Sequence, residues 1–169
     1  LLVEQPNGDF AVTMTKQFLY DAWHFAVLQE LVESSDARIA GIAAKALKEV
    51  TYHLRRSSEW VQRLGGGTDA SRQRMLAAIP TLWRFTVELT AGSDNEVRLA
   101  ECGIGADPAT VGATWLKQVT ATFASVELPL PKAASHFYLD GRKGLHTEHL
   151  GLLLAEMQFL PRAYPDATW

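Results

Sequence analysis

The sequence predicts an all-α protein, on three observations. Apolar residues recur at spacings of three and four through the long segments, polar capping residues stand where those segments begin, and no stretch alternates apolar and polar residues as a half-buried strand does. The chain has 169 residues, 47% of them apolar, enough to bury a core of its own. No repeat, low-complexity tract or long Pro/Gly linker divides residues 1–169, so a single helical domain is expected.

Pro6–Asp9 reads as a turn with Asp9 as N-cap, followed by a long helix from about Phe10 to Glu33. Its apolar residues form more than one strip: Leu19, Trp23 and Ala26 on one, and Phe18, Ala22, Phe25 and Val32 on another. Such a helix is buried on several sides or lies at an interface. Ser34–Asp36 stops it and caps a second helix, from about Ala37 to Leu64, which Gly65–Gly67 ends. The expected inward strip of this second helix is Ile39, Ala43, Ala46, Val50, His53, Ser57, Trp60 and Leu64. Thr68 or Asp69 caps a third helix, with Met75, Leu76, Ile79, Leu82 and Trp83 inward and Pro80 expected to kink it. Asp107-Pro108 opens a fourth, since proline suits the first helical position. Leu128–Lys132 should be extended because each proline disfavours a helical predecessor. Asp140–Gly144 reads as a loop. A last helix begins near Thr147 and carries Leu150, Leu153, Met157 and Leu160 until Pro161 disturbs it.

Composition excludes some functions. A net charge of -3, from 16 basic and 19 acidic residues, gives no basic footprint for nucleic acid. The lone Cys102 cannot form an internal disulfide, which fits a reducing cytoplasm. The longest apolar run, Leu150–Ala155, falls far short of a bilayer. The start, LLVEQPNGDF, has no basic region typical of a signal peptide and no initiator Met, which hints at a processed or truncated chain.

The segment Glu49-Val50-Thr51-Tyr52-His53 is the strongest candidate for chemistry. Di-iron carboxylate bundles place Glu and His three apart on a helix, so that both point inward. Here the residue three before His53 is Val50, which cannot bind a metal, and Glu49 stands four before. The simpler reading is a buried, hydrogen-bonded His53, with Glu49 leaning off the strip toward Arg55, Arg56 or solvent. Asp21 and His24 are three apart on the first helix, and Asp21 falls among apolar neighbours, where a carboxylate needs a partner. Asp21 is therefore a former metal ligand or half of a structural polar pair. His146, Glu148 and His149 cluster at the start of the last helix, where a structural or interface role outweighs metal binding. Leu64–Asp69 is glycine-rich but follows a helix and lacks a phosphate loop's Lys-Ser/Thr ending. No Gly-x-Ser-x-Gly occurs. Arg55, Arg56, Arg63, Arg72 and Arg74 are expected near one end of the bundle, as a solvated face or a patch for an anionic partner.

The segments LLVEQPNGDFAVTMTKQFLYDAWH, AAKALKEVTYHLRRSSEWVQRLGGGTDAS, LWRFTVEL and KGLHTEHLGLLLAEMQFLPRAYP together resemble the structural C subunits of bacterial phenylacetyl-CoA epoxidase, a multicomponent ring-1,2-monooxygenase of aerobic phenylacetate breakdown. The resemblance spans essentially the whole chain. It implies a ferritin-like helical bundle that has lost iron and catalysis and partners a catalytic subunit holding the di-iron site. On it, Asp21 and His53 resemble leftover ligand positions, Val50 stands where the catalytic sister has glutamate, and Glu49 is retained beside them. The family's chains carry two further bundle helices ahead of LLVEQPNGDF. The expectation is thus a partial bundle whose first helix has apolar faces that another chain covers. The implied function is a non-catalytic subunit with no cofactor of its own, in a hetero-oligomer with the di-iron catalytic subunit. Two rivals remain: an independent metal-dependent oxygenase using Asp21, Glu49, His53, His146 and His149, and a helical interaction module unrelated to oxygenases.

Overall fold

A computed structural model describes residues 1–132 and 139–168. Among these the order is α1 (Phe10–Leu31), α2 (Ala37–Gly65), α3 (Asp69–Trp83), α4 (Val87–Thr90), α5 (Asp94–Glu101), α6 (Pro108–Ala124), a 3-10 turn (Gly141–Lys143), α7 (Glu148–Met157) and α8 (Phe159–Ala163), with no strand. The caps explain the boundaries. Asp9 accepts from the Val12 N–H, Asp36 from Arg38 and Ile39, Thr68 from Ser71, and Asp107 from Ala109 and Thr110.

The central helix is α1, which packs against α2, α3 and α6. Its many-sided apolar pattern is thereby explained within this chain: Phe18 and Leu19 are fully buried, facing Val61, Met75, Ile79, Trp115 and Phe123 in one core. Phe18 and Phe123 meet with ring centroids 5.9 Å apart, and the Trp115 indole donates to the Leu19 carbonyl at 2.9 Å. The large exposed apolar side chains expected on the first helix lie mostly elsewhere. Leu152 (72% exposed), Met157 (68%) and Phe159 (65%) sit on α7 and α8, which rest on little of the body.

Several boundaries differ from the sequence reading for physical reasons. Helix α1 ends at Leu31, two residues early, because Val32–Ser34 turn to reach the α2 cap. The short α4 and α5 were not foreseen, although Ser93 and Glu96 form a reciprocal capping box at the start of α5. Asp140–Gly144 is more ordered than a loop: Asp140 caps the 3-10 turn and Gly144 closes it at φ 78. Helix α3 runs through Pro80, which faces solvent. Pro161 acts one turn upstream: lacking an N–H for the Met157 carbonyl, it ends α7 at Met157, and it fits within the first turn of α8.

Gly65 is needed for close approach rather than for a left-handed cap. A Cβ there would lie 2.8 Å from the Leu128 side chain. Leu128 reaches that place because Glu127 adopts φ 55, which lets the Leu128 N–H donate to the Phe123 carbonyl at 2.9 Å. Arg72 locks the junction by donating to the Gly65, Val126 and Glu127 carbonyls, each at 2.8 Å. The expected arginine patch is accordingly reduced: Arg72 is spent on backbone, Arg55 lies over the Tyr52 ring and Arg63 over Trp60.

Candidate functional site

Helices α1 and α2 bring Asp21, His24, Val50, His53 and Ser57 to one region of their contact. Asp21 is 2% exposed and fully engaged. One carboxylate oxygen accepts from Gln17 Nε2 at 2.6 Å, a turn earlier on the same helix, and the other from Ser57 Oγ at 2.8 Å across the interface. The Ser57 hydroxyl also lies 3.0 Å from the His53 carbonyl, but it has one proton, and the charge-assisted bond to Asp21 is the stronger use of it. Asp21 is therefore half of a structural polar pair. Gln17 could have been suspected from its four-residue spacing to Asp21, whereas Ser57 comes from another helix and carried no local signal.

His53 requires a correction. It is not buried: its side chain is 45% exposed, and Leu54 and Val61 face the core in place of His53 and Trp60. From Val50, steps of three and four both stay near the inward face, and the apolar residue takes the buried place. Trp60 is instead half-buried on the flank, edge-on to Phe10 at 5.0 Å. Glu49 lies off the inward face toward solvent as expected, its side chain 76% exposed, and pairs loosely with the equally outward His53, Oε1 to Nε2 at 3.9 Å. Such a pair adds little to stability. Val50 is buried, with Leu28 and Ala43 beside it. We expect His53→Ala to shift stability by about 0.5 kcal/mol or less, measurable as an almost unchanged denaturant midpoint.

His24 sits between these groups, against Tyr20 and Trp23. Burial holds its pKa below the ordinary histidine value, Asp21 opposes that shift and His53 reinforces it. A base with a depressed folded pKa stabilises the fold above the unfolded value, and this contribution is lost as pH falls through the folded value. The melting temperature should therefore drop as pH falls from about 7 toward about 5, and His24→Gln should flatten that part of the profile. Equal slopes for parent and variant would remove His24 from the account.

This donor set does not fit a two-iron site. Asp21 is occupied on both oxygens, Val50 offers no donor, and His53 and Glu49 face outward. His146 and Thr147 are engaged with Glu4, far along the chain from Asp21 and His53, while Glu148 is exposed and His149 partly so. Among the described residues no three His, Cys, Asp or Glu side chains converge to hold a metal ion. A cleft of about 1040 Å³ has mixed charge from Arg98, Arg142 and Lys143 against Glu88, Asp94 and Asp140, and none of the candidate residues lines it. No described helix is long and apolar enough to cross a membrane.

An all-α bundle centred on a polar pair between two long helices matches the ferritin-like architecture expected above, and residues 1–169 match the family described as phenylacetic acid catabolic protein. The chain belongs to that family. It is 50% identical over 169 residues to the C subunit of the 1,2-phenylacetyl-CoA epoxidase of Escherichia coli (strain K12), an alignment that covers all of this chain and 68% of that relative.

Proposed function

We propose that this chain is a non-catalytic structural subunit of a phenylacetyl-CoA epoxidase, binding and stabilising the di-iron catalytic subunit of that complex in phenylacetate catabolism. The observation that carries this reading is the state of the α1–α2 centre: Asp21 is committed to Ser57 and Gln17, and Val50 is buried where a metal-binding helix would present a carboxylate. The similarity to a protein named as an epoxidase subunit supports the pathway. The exposed apolar side chains of α7 and α8 give a complex surface to bury. Chemistry on dioxygen then belongs to the partner's iron, and this chain contributes packing.

Sedimentation of the purified chain alone and with the catalytic subunit tests the proposal, with iron measured in each species. The expected result is self-association or poor solubility alone, a stable hetero-complex when mixed, and iron only where the partner is present. One or two iron atoms per chain in the isolated protein, or a well-behaved monomer that ignores the catalytic subunit, would overturn it.

A further inference from the structure

The C-terminal arm meets the body through a small set of polar contacts at its root. Glu4, only 7% exposed, places one carboxylate oxygen 2.9 Å from the Thr147 backbone nitrogen and the other 3.1 Å from His146 Nδ1. Both partners donate, so His146 carries its proton on Nδ1. Thr147 is the N-cap residue of α7, and its own side chain caps nothing. Glu4 thus supplies, from the far end of the sequence, the acceptor and the negative charge that suit a helix N-terminus. Just before this point Arg142 pairs with Glu96 at 3.1 Å and donates to the Ala91 carbonyl. Gly144 lies between the two anchors in a left-handed conformation. Among the described residues no hydrogen bond or ion pair fastens the arm to the body beyond Thr147, and Leu152, Met157 and Phe159 are exposed.

We propose that Glu4 is the latch of a hinged arm: its carboxylate pins Thr147 and His146, and without that bond α7 and α8 swing about Gly144 while the body of the protein stays folded. His146 is then a structural donor at the hinge, a role its proximity to Glu148 and His149 in sequence does not reveal. Burial makes the latch directional, because a carboxylate with so little water access keeps its charge through these donors and loses more than an exposed pair would when one is removed.

Distance measurements between spin labels test this in the full chain. A Cys102→Ser background removes the one native thiol, which is exposed. Labels go on Gly41→Cys and Gly151→Cys, since a side chain at either position meets nothing within 4 Å. A second pair, Gly41→Cys with Gln73→Cys, reports on the body, both positions being exposed. The parent should give one narrow arm-to-body distance. Glu4→Ala, which leaves neither Thr147 nor His146 an acceptor, should lose that peak while the body pair stays narrow. Thr147→Pro should do the same without touching Glu4, since it deletes the N–H, and φ -76 at Thr147 suits proline. The proposal fails if the narrow peak survives both variants, if the parent is already broad, or if the body pair broadens along with the arm, which would make Glu4 a core residue.

Discussion

Val50→Glu should destabilise the protein by about 3–5 kcal/mol near neutral pH, the cost of a pKa displaced by several units at a buried site, and should restore no oxygenase. Val50 is 4% exposed in an apolar cluster with Leu28 and Ala43, ringed by Phe25, Leu31 and Leu47, none of which can donate to a carboxylate through its side chain. The new acid would be held neutral, with a folded pKa above its unfolded one. The unfolded state then gives up its proton first, so the variant loses stability as pH rises from the ordinary glutamate value through the raised one. The penalty should be smallest in acid and largest above the folded pKa. Denaturant unfolding of parent and variant at several pH values reads this directly. A pH-independent difference would mean that the carboxylate escapes to solvent. Metal binding does not follow from the substitution, because Asp21 is already committed and His53 points outward. Oxygen-dependent epoxidation of phenylacetyl-CoA by this variant alone would refute that argument.

Much of the architecture was legible because its causes are local. Asp9, Asp36, Thr68 and Asp107 announce helix starts through side chains that reach backbone two or three residues on. The many-sided apolar pattern of α1 announced a helix surrounded by others, and α2, α3 and α6 are those neighbours. The need of Asp21 for a partner followed from one charge among apolar residues. What stayed hidden depends on pairing over long stretches of chain. Ser57 meets Asp21, Arg72 meets the Val126 carbonyl and Glu4 meets Thr147 with no periodicity to signal it. The placing of His53 failed for a different reason. Ala43, Val50 and Ser57 fit two phases of the same helix, and only the competition of Leu54 and Val61 for the core decides between them. Choosing the apolar alternative at each ambiguous step would have put His53 outside. Exposed apolar surface was expected on α1 and occurs on α7 and α8, because α6 and α3 cover the central helix from within the chain.

Ser57→Ala should cost about 2–3 kcal/mol, more than a lost serine ordinarily does, because it leaves one oxygen of a buried carboxylate without a donor. The partner substitution shows why the charge matters. Asp21→Asn keeps the shape, and its amide can donate to Ser57 Oγ while the Ser57 hydroxyl turns to the His53 carbonyl 3.0 Å away. Gln17 then retains the remaining oxygen. That rearrangement satisfies each group, so Asp21→Asn should cost only about 1 kcal/mol, the worth of an ordinary hydrogen bond. Asp21→Ala loses both charge-assisted bonds and leaves a small void, and should cost about 2–3 kcal/mol even though the Ser57 hydroxyl can turn to the His53 carbonyl and the exposed Gln17 to water. The double variant Asp21→Ala/Ser57→Ala removes acceptor and donor together, so it should be less damaging than the sum of the two single changes by about 1–2 kcal/mol. Four equilibrium unfolding curves provide the cycle. Strict additivity would mean that Asp21 and Ser57 are merely adjacent, and the reading of the α1–α2 centre as a structural pair would have to be given up.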